Sequence, residues 1–167
     1  MELRNHITRR LHDEHEAAFR LIARVERAFA GHAADSLPAL AAPEWSALLR
    51  DLHAGLEFEI AGHFDFEERA LFPLLIEAGE GDLVGILDEE HQAIRAVAAP
   101  LIALLRKFRG SGLDAADWRS VRALGLELCL RLDAHARKEE DAMLPALEAL
   151  LDAEQDRTLT ASYADGG

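Results

Sequence analysis

Apolar residues recur at alternating steps of three and four along almost the whole chain, and the strict alternation typical of strands is not found. This spacing gathers apolar side chains on one face of a helix, where they can pack into a core. We predict four helices: from about Leu3 to Ala30, from Pro43 to the step at 71–73, from about Asp82 to Arg109, and from Asp114 onwards. The pattern is typical of an all-α protein folded as an antiparallel up-down-up-down four-helix bundle.

Prolines and acidic residues mark several of the predicted helix ends. Pro43 suits the first turn of the second helix, where its missing N–H costs nothing. Asp114, followed by Asp117, is an N-terminal signal for the fourth helix. We expect Pro73 and Pro145 to kink or end the helices that contain them.

An internal repeat divides the chain into two similar halves. Residues 63–73 and 135–145 both read His-x-x-x-Glu-Glu-x-Ala-apolar-apolar-Pro, and they begin 72 residues apart. A weaker repeat joins residues 14–17 to residues 90–93, which lie 76 positions later. We therefore predict two copies of one helical hairpin, related by a pseudo-twofold axis.

Each predicted helix carries one histidine within its apolar seam, namely His15, His63, His91 and His135. A buried polar group without a partner costs about 1–3 kcal/mol, so these positions need an explanation. Their distances from the helix ends are similar, and at a rise of about 1.5 Å per residue they fall in one layer. Glu67 and Glu139 follow two of the histidines by four residues and therefore share their helix faces.

Four imidazoles and two carboxylates in one buried layer predict a dinuclear metal site. Two divalent cations would balance the buried carboxylate charge, and each carboxylate could bridge both ions. Mixed imidazole and carboxylate ligands favour iron, manganese or zinc over calcium or magnesium. The alternative is a set of separately hydrogen-bonded core histidines and solvated glutamates. The spacing leaves open which two histidines would share an ion.

Other polar residues have weaker signals. Glu59, one turn before His63, and Glu90, next to His91, could orient a ligand histidine or relay protons, or could be solvated. Glu68 and Glu140 fall outside the seam, so we expect them at the surface. The remaining residues that we expect to be structural or solvated are His6, His12, His32, His53 and Cys129, the last as a small core residue.

Composition and charge exclude several classes of protein. With 18 basic and 31 acidic side chains, the net charge of −13 argues against binding to nucleic acid or anionic lipid. A single cysteine allows no intrachain disulfide. The longest apolar stretch, residues 96–105, is too short to span a bilayer, and the charged first ten residues do not resemble a signal peptide. We expect a cytoplasmic protein with one domain over residues 1–155 and a short flexible tail over residues 156–167.

The chain resembles a hemerythrin-like, or HHE cation-binding, domain over essentially its whole length. The resemblance is carried by the paired His-x-x-x-Glu-Glu motifs, which precede Leu-Phe-Pro and Met-Leu-Pro, and by the acidic-His steps of the first and third helices. It implies a non-haem di-iron centre with an oxo or hydroxo bridge, in which manganese or zinc could replace iron. By motif, the implied ligands are His15, His63, Glu67, His91, His135 and Glu139, with the two glutamates bridging.

The sequence departs from the oxygen carriers of this family at one ligand. Those carriers use a fifth histidine on the third helix, whereas the positions one turn either side of His91 are Leu87 and Arg95. The remaining set is similar to that of di-iron proteins linked to iron–sulfur cluster repair under nitrosative or oxidative stress, and to that of iron- and oxygen-sensing members.

This resemblance implies a protein that binds or reacts with O2, NO or peroxide in sensing or in a stress response. It is also compatible with an iron storage or donor protein, an iron–sulfur-cluster repair-type protein, and a di-iron oxidoreductase. The sequence indicates no particular protein partner and leaves a homodimer open.

Overall fold

The computed structural model describes residues 3–33 and 36–165, and these form five helices without a strand. Helix α1 is His6–Ala30, α2 spans residues 43–77, α3 is Gly81–Ser111, α4 spans residues 115–150, and α5 is Ala153–Asp165. Helix α1 packs against α2 and α4, and α3 packs against the same two helices, which closes a four-helix bundle. The predicted all-α bundle is confirmed.

Helices α2 and α4 are continuous, but each contains π-helical turns. In α2 the α-helical segments Pro43–Phe58, Phe64–Phe66 and Phe72–Glu77 are joined by π turns at Glu59–His63 and Glu67–Leu71. In α4 the π turn Glu139–Met143 joins Ala115–Lys138 to Leu144–Leu150. A π turn contains an extra residue and often marks a functional site.

The π turns explain how both helices continue through their prolines. Pro73 and Pro145 each lie in the first turn of the α-helical segment that follows a π turn. Proline cannot donate a backbone hydrogen bond, and the altered turn before it accommodates this loss. Neither helix therefore ends at its proline, although an end there was one of the two outcomes that the sequence led us to expect.

Distant carboxylates cap the start of α1. Glu148 accepts hydrogen bonds from the backbone N–H groups of Arg4 and Asn5 and from Thr8 Oγ1. Asp156 accepts hydrogen bonds from the backbone N–H groups of His6 and Ile7, at 3.0 and 2.9 Å. These bonds satisfy donors that a helix N-terminus leaves free. Helix α1 begins at His6, later than predicted, because Glu148 holds the backbone that precedes it.

The predicted start of α4 is confirmed in detail. Asp114 Oδ1 accepts hydrogen bonds from the backbone N–H groups of Ala116 and Asp117, both at 2.8 Å. In return, Asp117 Oδ2 accepts the backbone N–H of Asp114 at 3.0 Å. This reciprocal arrangement is a capping box, which fixes the first turn of the helix.

Helix α5 takes up most of the segment that we expected to be a flexible tail. Leu159 and Tyr163, four residues apart on one face of α5, are buried in a cluster that also contains Ile7 and Leu11 of α1. Burial of these side chains and the bond from Asp156 to α1 hold the segment as a helix through residue 165. Residues 166 and 167 lie outside the described part of the chain.

The apolar core forms two clusters on either side of a polar layer. One cluster surrounds Phe29 and Trp118, and the other surrounds Leu75 and Leu147. Along α1, His15 lies between Leu11 of the second cluster and Ile22 of the first.

Across the residues that the structure describes, we find no helix with the length and apolar character needed to span a membrane.

Candidate metal centre

The structure brings the six predicted ligand residues together in the polar layer, where each is at most 2% exposed. Helices α1 and α3 supply His15 and His91. Helices α2 and α4 each supply a histidine and a glutamate in the i, i+4 relation, at or next to the π turns. The set is His15, His63, Glu67, His91, His135 and Glu139.

The six residues form two groups that share both glutamates. One group contains His15 and His63, whose Nε2 atoms are 3.3 Å apart, and the other contains His91 and His135, whose Nε2 atoms are 3.0 Å apart. In each group one ligand atom from every residue lies within 4.8 Å of the others.

Each glutamate presents one oxygen to each histidine pair. Glu67 Oε1 lies 3.1 Å from His63 Nε2, and Glu67 Oε2 lies 3.3 Å from His91 Nε2. Glu139 Oε2 lies 3.1 Å from His15 Nε2, and Glu139 Oε1 lies 3.1 Å from His135 Nε2. Both carboxylates therefore connect the two halves of the cluster.

The chemistry of this cluster fits a metal centre. Within the described residues, the four oxygens of Glu67 and Glu139 accept no hydrogen bond of good geometry, although both residues are fully buried. A buried carboxylate without compensation is strongly unfavourable. Cations between the carboxylates and the imidazoles would satisfy these oxygens and the facing nitrogen atoms together.

The electrostatics of the cluster also favour positive charge. Burial would lower the pKa of His15, but Glu139 and Glu140 outweigh burial and raise this pKa to about 9. Burial would raise the pKa of Glu139, but the neighbouring histidines hold this pKa well below its ordinary value. The carboxylates thus attract protons or cations into the layer, and a bound metal would displace the protons.

A second set of glutamates orients the four histidines. Each imidazole donates its Nδ1–H to a carboxylate and so turns the Nε2 lone pair toward the centre of the cluster. The bonds are His15 to Glu140 at 2.7 Å, His63 to Glu14 at 3.0 Å, His91 to Glu68 at 2.7 Å, and His135 to Glu90 at 3.0 Å. The pairings follow the internal repeat.

Each orienting glutamate has a further polar partner. Tyr163 Oη donates to Glu14 at 2.7 Å, and His12 Nδ1 lies 3.0 Å from Glu140. The corresponding partners in the second half are Arg95 for Glu68 and Lys138 for Glu90. These contacts fix the carboxylates and connect the four histidines to the outer surface of the bundle.

Glu68 and Glu140 match the surface expectation only in part, since their side chains are 28% and 24% exposed. Both contact histidines of the cluster, although they directly follow Glu67 and Glu139. A π turn has more residues per turn than an α-helix, so consecutive side chains diverge by a smaller angle and both can face inward. The regular helical period used for the prediction could not show this.

Glu14 was missed, although the repeat contained a signal for it. Glu14 precedes His15 as Glu90 precedes His91, and both carboxylates contact a histidine of the neighbouring helix. Glu90 thus lies against a histidine, although this is His135 and not the adjacent His91.

Glu59 is half-buried and has no hydrogen bond to a cluster histidine among the described residues, and burial raises the pKa of Glu59.

The other histidines and the cysteine lie outside the cluster. His12 is partly exposed beside Glu140, and His53 is buried 3.6 Å from Glu57. His6 and His32 lie near the two ends of α1. The cysteine is buried as expected, and burial raises the pKa of Cys129 to about 12.

Comparison with known proteins agrees with this arrangement. The family model described as "Hemerythrin HHE cation binding domain" matches residues 6–109 and again residues 82–162, as the internal repeat would lead one to expect. A protein of Neisseria gonorrhoeae named "Iron-sulfur cluster repair protein DnrN" is 28% identical over 142 residues, which is 83% of this chain and 85% of the relative. The chain belongs to the hemerythrin HHE cation-binding domain family.

Proposed function

We propose that the cluster holds a dinuclear non-haem iron centre, with His15 and His63 on one iron and His91 and His135 on the other. Glu67 and Glu139 would bridge the two ions, and an oxo or hydroxo group would complete the bridge. The observation that carries this proposal is the placement of one oxygen of each glutamate against each histidine pair.

The ligand types favour iron, although manganese and zinc also accept imidazole with carboxylate. Bound iron would supply a site for small ligands and for electron transfer. The protein would orient the imidazoles through four glutamates and exclude bulk water. Phe64 contributes to this exclusion, since it is fully buried and stacks on His91 with ring centroids 3.8 Å apart.

The function that this site supports best is binding of, or reaction with, O2, NO or peroxide in a sensing or stress-response role. Six protein ligands leave positions on two iron ions for exogenous molecules. The absence of a histidine one turn either side of His91 leaves more such positions than in the oxygen carriers.

A repair-type role is the second candidate, and the name of the Neisseria gonorrhoeae relative is the observation that favours it. In this role the protein would act on a damaged iron–sulfur cluster of another protein. Iron storage or donation and di-iron oxidoreductase activity rank behind these two roles, because no particular contact among the described residues favours them.

Iron analysis and optical spectroscopy test the centre. The wild-type chain should bind two iron ions, and H63A and E139A should lose both. H53A, which removes a buried histidine outside the cluster, is the matched control and should keep its iron. Full iron retention in H63A or E139A would refute the ligand assignment.

The ferrous protein should then be followed anaerobically, after addition of O2, NO or peroxide, and after removal of the gas. A new charge-transfer band is expected, and its disappearance on removal of the gas would indicate reversible binding. A persistent band with ferric iron would indicate redox reaction. No change with any of the three ligands would contradict the proposed chemistry.

The repair role has its own assay. The iron-loaded chain is incubated with an iron–sulfur protein whose cluster NO has damaged, and recovery of cluster absorbance is measured, with E139A as the control. Recovery with the wild type alone would support repair. Rapid loss of iron from the wild type to a chelator without cluster recovery would favour the donor role.

A further inference from the structure

An apolar cavity of about 430 Å³ lies between α1, α2 and α4, on the side of the bundle that carries His15 and His63. Glu14 and Glu59 line the cavity near the histidine layer, because Glu14 adjoins His15 and Glu59 precedes His63 by one turn. From there the cavity extends along both helices. The apolar lining includes Leu21, Ile22, Leu52, Leu56, Leu128 and Leu132.

The internal repeat provides a comparison within the same molecule. The equivalent groove between α3 and α4 is lined by residues 90, 93, 94, 127, 130, 131 and 134. There Glu127 and Arg131 form an ion pair at 2.8 Å. At three equivalent positions the first half has Ala18, Gly55 and Glu59. The second half has Ile94, Glu127 and Arg131 there, in the same order.

The two halves differ in the lining of this space and not in its size, since the groove of the second half has a volume of about 410 Å³. A branched side chain and an exposed ion pair line the second groove. The first half keeps small residues there, and a Cβ at Gly55 would lie only 2.6 Å from Leu21 Cδ2. Any larger residue at Gly55 would push Leu21 from its position.

The size and lining of the cavity define the kind of molecule that it suits. Its volume lies within the range of about 300–1,000 Å³ typical of small-molecule sites, far above the need of a diatomic gas. The apolar walls suit a hydrocarbon body and disfavour a charged one. The charged residues Arg10, Asp13, Glu14 and Glu59 also line the cavity and offer polar contacts.

We propose that the cavity binds the hydrocarbon body of an organic hydroperoxide, with the hydroperoxide group beside Glu59 and the His15–His63 half of the centre. This inference rests on the proposed function and names the class of peroxide that the site takes. The groove of the second half, with its ion pair, would not bind this body.

The reaction breaks the O–O bond of the hydroperoxide and yields an alcohol and water. It consumes two electrons and two protons. With iron bound at the proposed centre, two ferrous ions would supply the electrons and become ferric, and solvent would supply the protons. The alcohol product retains the hydrocarbon body and must leave the same cavity.

The first test measures binding without redox chemistry. The full chain is loaded with zinc and titrated with the uncharged fluorescent probe 1-aminoanthracene, and 1-octanol is added as the competitor. We expect one saturable site that octanol competes for. The variant A17I/A18I, which fills the cavity, should weaken probe binding by about tenfold or more. The control variant A93I places isoleucine beside Ile94, so the second half carries two isoleucines at the equivalent positions. It should bind the probe like the wild type.

The second test measures oxidation of the ferrous protein by cumene hydroperoxide and by hydrogen peroxide. The ratio of the two rates should fall about tenfold in A17I/A18I and stay at the wild-type value in A93I. Thermal unfolding of each variant checks that it is folded, and the wild-type measurements stand without either variant.

The outcomes separate this inference from the proposed function. Failure of the wild type to hold iron would defeat both. Iron that reacts with hydrogen peroxide, combined with no saturable probe site or an unchanged rate ratio in A17I/A18I, would overturn this inference alone. Probe binding without any preference for the organic hydroperoxide in the wild type would also overturn it.

Discussion

Replacement of Glu140 by glutamine tests the role of the glutamates that orient the histidines. Glu140 accepts the Nδ1–H of His15 at 2.7 Å and lies 3.0 Å from His12 Nδ1. Burial would raise the pKa of Glu140, but His15 and His12 outweigh burial and lower it, so the side chain is a carboxylate at neutral pH. E140Q keeps the shape and removes only the charge.

The expected magnitude follows from the kind of bond that is lost. A hydrogen bond to a charged group contributes about 1.5–3 kcal/mol and a neutral one about 0.5–1.5 kcal/mol, so E140Q should lose about 1–1.5 kcal/mol. That loss corresponds to about a tenfold weaker affinity for metal. It lies at the lower end of the roughly 10–100-fold effects typical of residues that hold metal ligands, as the 24% exposure of the Glu140 side chain would suggest.

A chelator competition assay measures this change. The wild type and E140Q are loaded with iron or zinc and titrated with a chelator of known affinity. D141N is the matched control, because it removes the same charge from the adjacent, exposed position. E68Q, the equivalent change in the second half, should weaken metal binding by a similar factor. Wild-type affinity in E140Q, or an equal loss in D141N, would refute the reasoning.

Three further predictions concern stability and reactivity. E148Q should lower the free energy of unfolding by about 1 kcal/mol at neutral pH. Hydrogen bonds from Thr8 and the backbone outweigh burial and lower the pKa of Glu148. The stabilisation that Glu148 provides is therefore present above pH 4.5 and is lost as the pH falls. A stability difference between E148Q and wild type that persists in acid would contradict this. Y163F removes the bond to the Glu14 carboxylate and should cost about 1.5–3 kcal/mol in urea unfolding; unchanged stability would count against the contact. Cys129 should resist aromatic disulfide reagents until the protein unfolds, since burial raises its pKa to about 12; fast reaction in the native state would show that the thiol is accessible.

The sequence was sufficient to predict the bundle and the six clustered residues for one physical reason. Helical rise converts positions along the chain into heights, and four histidines at one height in four seams can meet only in the centre. The repeat then identified Glu67 and Glu139 with the same spacing. No single motif would have been enough.

The features that escaped prediction depend on local departures from the α-helix or on long-range contacts. The π turn at Glu139–Met143 turns Glu140 inward, and its extra residue cannot be read from a regular period. Helix α5 is held by Asp156 and Tyr163 against α1, which lies at the other end of the sequence. The cavity beside Glu59 depends on small residues whose neighbours only the fold reveals.

The contacts of α1 also set an order of events during synthesis. Helix α1 is made before α2–α5, yet its capping carboxylates, Glu148 and Asp156, follow the residues they bind by 140 to 150 positions. The bond from His15 to Glu140 spans 125 positions, and that from Tyr163 to Glu14 spans 149. A chain emerging from the ribosome therefore cannot complete α1, or the cluster to which it contributes, until its last helices are free. Metal binding at the proposed centre would accordingly follow the emergence of α4.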